Sequence, residues 1–71
     1  MTIQQAKQLR YGEVLKHRHL KGPDGKPYRC RVSGKPQTWK TRPDEVKVPV
    51  KFGLYHSFYL EPWNLDEWSL L

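Results

Sequence analysis

Val46-Lys47-Val48-Pro49-Val50-Lys51-Phe52 alternates apolar and polar residues without a break, and a period of two gives an extended strand one apolar face and one solvated face. A helix would scatter the same apolar positions around its axis. The chain must therefore build a sheet with one wet side. Tyr28-Arg29-Cys30-Arg31-Val32-Ser33 repeats the pattern, with Tyr28, Cys30 and Val32 on one face and Arg29 and Arg31 on the other. Pro49 has no N–H for a ladder, so the Val46–Phe52 strand is expected at a sheet edge or at a bulge. An open edge there would also favour self-association.

The remaining elements are read from turn and cap signals. Thr2 and Gln5 have capping-box spacing, which predicts a short helix over Thr2–Arg10 that ends before Gly12. Glu13–Leu20 reads as extended, and Lys21-Gly22-Pro23-Asp24-Gly25-Lys26-Pro27 as a connection. Turns are expected at Ser33–Pro36 and Arg42–Glu45, flanking a short Gln37–Thr41 strand with Trp39 inward. Gly53 allows a sharp bend before an extended Leu54–Leu60. Asn64 is placed to cap a single helical turn, with Glu67 at N3 and Trp63 and Trp68 at staple positions, and Ser69–Leu71 closes the sheet.

Short strands between turns predict a mainly β fold: a small SH3-like barrel or a strongly bent antiparallel sheet, with a short N-terminal helix and one helical turn near the C-terminus. A three- or four-stranded meander under the helix is the competing topology. The 71 residues read as one domain, with a helical segment at 1–12 and a β-rich body at 13–71. A chain of this size buries roughly 60% of its unfolded surface. Its lone Cys30 excludes an internal disulfide, so the large side chains must supply the core and Trp39, Trp63 and Trp68 are all expected inside. The N-terminal residues contain no apolar signal region, and no apolar run approaches the about 20 residues that cross a bilayer. The expectation is a soluble cytoplasmic protein with no membrane partner, a monomer or weak homo-oligomer.

Charge directs the functional reading. All 13 Lys and Arg lie in residues 1–51, where they face four acids for a net +9, while the segment from Phe52 onward carries −3 and six of the nine aromatics. Clustered cations on strand exteriors point to a polyanion, because neutralising phosphates releases counterions. Arg29, Arg31, Lys40, Arg42, Lys47 and Lys51 are the candidate contacts to DNA or RNA, holding phosphates without reading bases. Tyr55 and Tyr59, four apart, are the candidates for base stacking or for contact with a protein partner. The alternative function is a protein-interaction module.

No cofactor, metal or catalytic role is expected. His17 and His19 share a strand face but have no further ligands at motif spacing, and the acids are scattered. Strand alternation sends Cys30 inward, away from Arg29 and Arg31, as an inert thiol. No glycine-rich phosphate loop is present, nor a nucleophile paired with a base.

The stretches Asp24-Gly25-Lys26-Pro27-Tyr28-Arg29-Cys30-Arg31-Val32-Ser33-Gly34, Thr38-Trp39-Lys40-Thr41-Arg42-Pro43 and Val48-Pro49-Val50-Lys51-Phe52-Gly53-Leu54 resemble a group of short basic proteins encoded by bacteriophages and related mobile elements, over about residues 11–68. The resemblance implies a phage or mobile-element origin and residence in the cytoplasm of a bacterial host. It carries no catalytic residue across. It favours two roles, nucleic-acid handling and the binding and modulation of a host protein.

Overall fold

The computed structural model describes residues 1–71. The capping box forms as its spacing predicts: the Thr2 hydroxyl accepts from Gln5 N at 3.1 Å, and Gln5 Oε1 accepts from Thr2 N at 2.8 Å. The helix it starts, α1, covers only Ile3–Lys7. Five residues are too few to persist on propensity, so α1 is held by packing. Ala6 and, beyond the helix, Leu9 are buried in the core, and Lys7 Nζ donates to Pro43 O at 2.7 Å.

Six strands follow: β1 Val14–Lys21, β2 Pro27–Val32, β3 Gln37–Trp39, β4 Arg42–Phe52, β5 His56–Leu60 and β6 Trp68–Leu70. All pairings are antiparallel, in the order β3-β4-β2-β1-β6, with β5 on the other edge of β4. β5 and β6 do not pair with each other, so the sheet is open and the barrel is not formed. The whole molecule extends over 43 × 22 × 16 Å.

β4 organises the molecule, and it is not the edge strand that Pro49 suggested. Its first half pairs with β3 (Gln37↔Lys47) and its second with β2 (Val32↔Val50, Arg31↔Lys51), while β5 runs along its opposite side from Val48↔Leu60 to Phe52↔His56. β2 and β3 thus occupy successive stretches of one β4 edge, separated by Ser33–Pro36. Pro49 sits at that gap. Its carbonyl accepts from Ser33 N at 2.9 Å, and in an antiparallel strand the N of the same residue faces the same way. The missing N–H is therefore the one that would return a bond to Ser33, so this pair keeps a single bond and the β2 ladder ends there, at the gap before β3.

The turn expected over Arg42–Glu45 lies earlier, at Lys40–Thr41, and Arg42 already pairs with Trp39. No non-glycine residue has a positive φ, so this two-residue turn is not of the I′ or II′ type, and the register shifts between Gln37 and Trp39. Gly53, at φ +57°, makes the bend between β4 and β5.

The inner face collects Leu15 from β1, Cys30 and Val32 from β2, Val46, Val48 and Val50 from β4, Leu60 from β5 and Trp68 from β6. Phe52 and Phe58 stack at 4.7 Å and lie 5.5 and 5.9 Å from the Trp68 ring. Tyr28, on the same strand face as Cys30, ends up at the exposed margin, edge-on to Phe52 at 6.4 Å. Trp68 alone of the three tryptophans is core, at 3% exposure against 42% for Trp39 and 74% for Trp63.

Asn64 does not cap the 3-10 turn Leu65–Glu67 with its side chain. It is buried, and its Oδ1 accepts from Glu61 N at 2.7 Å while Nδ2 reaches Tyr59 O at 3.4 Å. The staple is absent as well, since Trp63 faces solvent and donates Nε1–H to Glu61 Oε2 at 3.1 Å. Asn64 thus ties the end of β5 to the segment that carries Trp68. Asn64→Ala, which leaves two backbone groups without partners, should cost about 2 kcal/mol and lower the melting temperature by on the order of 10 °C in a circular-dichroism melt.

Candidate nucleic-acid interface

Strand alternation places Lys16 outside buried Leu15 and His17, Arg29 and Arg31 outside Cys30 and Val32, and Lys47 and Lys51 outside Val46, Val48 and Val50. Register then sets these cations against one another. Lys16 lies opposite Arg29 across β1 and β2, and Arg31 lies opposite Lys51 across β2 and β4. Like charges directly opposite each other destabilise a sheet, and no carboxylate relieves them. The chain's only ion pair is Arg42–Glu45 at 3.4 Å, and Glu67 Oε2 takes a hydrogen bond from His17 Nε2 at 3.3 Å.

Five of the seven acids are engaged elsewhere. Glu13 accepts from Arg10 N at 2.6 Å, Asp24 accepts from Lys26 N at 3.0 Å, and Glu61 holds the Trp63 indole. The outer face of β1, β2 and the end of β4 is left as an uncompensated positive surface. A shallow cleft of about 410 Å³ crosses it, lined by Arg29, Arg31, Ser33 and Lys51, with exposed Tyr11 beside them. Its dimensions and donors suit phosphate oxygens, which Arg holds with a fork of N–H groups and Lys as a point charge.

Of the six cations expected to act together, Arg29, Arg31 and Lys51 are brought into one cluster. Lys47 shares their face of the sheet, but its Nζ lies 4.4 Å from the Tyr59 ring centroid in a cation–π contact. Lys40 and Arg42 belong to the β3–β4 hairpin tip, and Arg42 is turned to Glu45. Tyr55 and Tyr59 do not make a common platform. Tyr55 projects from the β4–β5 connection at 92% exposure, whereas Tyr59 lies on the outer face of β5 under Lys47. Lys16 is the member that the sequence pattern does not nominate. Its place opposite Arg29 depends on the β1–β2 register, which shifts between Lys16 and Lys21 and so cannot be counted back from the turn.

His17 is buried on the other side of β1, and both of its ring nitrogens are occupied. Nδ1 accepts from the backbone N–H groups of His19 at 3.0 Å and Leu20 at 2.9 Å, which leaves the ring proton on Nε2, directed at Glu67 Oε2. Trp68 meets the imidazole edge-on at 4.9 Å. No three His, Cys, Asp or Glu side chains gather into a metal-binding group.

Cys30 points inward as its alternation predicts, and burial pushes its thiol up from 9.0 to about 12. Arg29 and Arg31, on the opposite face, do not offset this. The folded protein should therefore resist alkylating reagents until it unfolds. Between pH 9 and about 12 an unfolded chain has lost a thiol proton that the folded chain keeps, so stability falls as pH rises through that window. Urea denaturation below and within the window should show this fall, and Cys30→Ala should remove the thiol's share of it.

Comparison with protein-family models finds no match to this chain, and comparison with curated proteins and with solved structures finds no significant one.

Proposed function

We propose that the protein is a small nucleic-acid-binding module that holds the phosphate backbone of DNA or RNA on its outer sheet face through Lys16, Arg29, Arg31 and Lys51. The observation that carries this reading is the pair of neighbouring like-charge cross-strand contacts, Lys16–Arg29 and Arg31–Lys51, with no carboxylate between them. Such an arrangement costs the isolated sheet stability, and a bound polyanion turns the cost into binding energy. The surface offers cationic donors and no row of exposed aromatic rings, which favours backbone contact over base stacking and hence weak sequence preference. Fluorescence anisotropy with single- and double-stranded DNA and RNA across a salt series tests it. A linear fall of log K with log salt, with a slope near the number of engaged phosphates, is the expected result. No binding at low salt would overturn it.

A second reading is a protein-interaction module. It is favoured by a groove of about 270 Å³ between exposed Trp39 and Trp63, with Glu45 and Glu61 in its lining. Exposed tryptophans are frequent interface anchors. The likeness to phage-encoded proteins makes a bacterial host protein the partner on this reading. Capture of one host protein that survives high salt and is lost on Trp63→Ala would favour it over the first.

A further inference from the structure

β5 and the two turn residues before it carry a self-complementary sequence. Leu54-Tyr55-His56-Ser57-Phe58-Tyr59-Leu60 reads nearly the same in both directions about Ser57, with Leu at both ends, Tyr inside them, and His56 and Phe58 flanking the centre. In antiparallel pairing, a strand with this symmetry meets its own copy with like side chains opposite each other.

The edge is available. β5 pairs only with β4. Pro49 directs its backbone groups toward β2, so its pairing with Tyr59 is of the non-hydrogen-bonded kind, and the Tyr59 N–H and C=O face away from β4. By alternation the Ser57 N–H and C=O face the same way. Of these four groups one is used within the chain, the Tyr59 carbonyl, which Asn64 Nδ2 reaches at 3.4 Å. Natural sheets guard such an edge with Lys, Pro, a bulge or a covering loop. Between Leu54 and Leu60 there is no charged residue and no proline, and Leu54 and Tyr55 project into solvent. The other outer strands, β3 and β6, have three residues each against five in β5.

We propose that the occupant of this edge is a second copy of the chain, joined by antiparallel pairing of the two β5 strands about Ser57. The two Ser57 residues exchange both backbone hydrogen bonds across the two-fold axis. Phe58 of each copy then stands opposite His56 of the other, an aromatic pair of the kind that adds to cross-strand stability, and Tyr59 of each faces the turn that carries Tyr55 of the other. The interface is isologous and closes at two copies. Its axis stands perpendicular to the sheet, so the outer faces of both copies look the same way and their basic fields join into one surface. The pairing itself does not depend on what that surface binds.

Sedimentation equilibrium over a concentration series should show a transition from 8.5 kDa toward twice that mass, without nucleic acid. Ser57→Pro removes an N–H that the β4–β5 ladder does not use, so it should keep the circular-dichroism spectrum of the monomer and raise the dimer dissociation constant at least about tenfold. Ser57→Lys, which sets two ammonium groups opposite each other, should do the same should the proline variant fail to fold. Ser57→Cys should form a disulfide-linked dimer under mild oxidation, because facing residues of an antiparallel pair lie within disulfide reach. Thr41→Cys, at the exposed hairpin tip, should not, and native Cys30 is buried. A mass that stays monomeric up to millimolar concentration would overturn the proposal, as would Ser57→Cys linking no faster than Thr41→Cys.

Discussion

Replacing Arg29, Arg31 and Lys51 together by glutamine is expected to lower affinity for duplex DNA about a thousandfold at low salt and to flatten the plot of log K against log salt by about three units. The slope follows from counterion release, in which each neutralised phosphate on B-form DNA contributes about 0.9. The affinity follows from three charge-assisted contacts, each worth about 1.5 kcal/mol. The fold should be unharmed, because all three side chains leave the sheet on the side opposite the core. Removing the Arg31–Lys51 repulsion should even raise the melting temperature slightly, since like-charge cross-strand pairs cost about 0.2–1 kcal/mol. Lys40→Gln with Arg42→Gln removes two equal charges from the hairpin tip, where Arg42 already faces Glu45, and should leave most of the slope in place. A triple variant that binds with the wild-type slope, or a hairpin variant that loses as much, would place the phosphates elsewhere on the molecule.

The stability side of that experiment separates binding from folding. Most surface substitutions in a sheet cost a little or nothing, whereas here the variant that weakens binding about a thousandfold should be at least as stable as the parent. Such opposition arises when side chains are retained for a ligand against the preference of the fold. Simple net charge does not produce it, because the same +9 over residues 1–51 distributed as alternating pairs with acids would stabilise the sheet and bind less.

What could be read from the sequence was whatever depends on one strand or one cap. The Val46–Phe52 alternation gave the buried face of β4 directly, Thr2 and Gln5 gave the start of α1, and the Tyr28–Ser33 alternation sent Cys30 in and Arg29 and Arg31 out. What could not be read depends on which strands meet. Pro49 looked like an edge residue because a strand's own sequence does not show that its neighbour is interrupted at that point. Lys16 stayed out of the predicted cluster because the irregularity after it hides its position opposite Arg29. Lys40 and Arg42 were included because they are near in sequence, although a two-residue hairpin carries them to the far end of β4. Asn64 was read as a cap because the local pattern fits one, and the competing bonds to Glu61 and Tyr59 come from the fold of the whole closing segment.

The tryptophans give the largest effect on stability, and they separate cleanly. Trp68→Ala should destabilise the protein by about 3–5 kcal/mol, the usual cost of emptying a core aromatic site. A 71-residue domain has about 4–11 kcal/mol in total, so this one substitution removes a large share and leaves a measurable unfolded fraction near physiological temperature. The magnitude has a structural basis beyond lost area. The Trp68 ring closes the aromatic cluster, with Phe52 at 5.5 Å, Phe58 at 5.9 Å and the His17 imidazole at 4.9 Å. Its loss therefore loosens the contacts that fasten β6 and β1 to the end of β4. Trp63→Ala, at a ring 74% exposed whose indole N–H serves only Glu61, should change stability by no more than about 0.5 kcal/mol. Trp39→Ala, half in contact with the β3–β4 hairpin, should fall between them. Urea unfolding followed by far-ultraviolet circular dichroism gives all three numbers without relying on tryptophan emission, which the substitutions themselves alter. Equal losses at Trp63 and Trp68 would mean that the closing segment packs with both rings inside, and that the solvent-facing groove between Trp39 and Trp63 does not exist in solution.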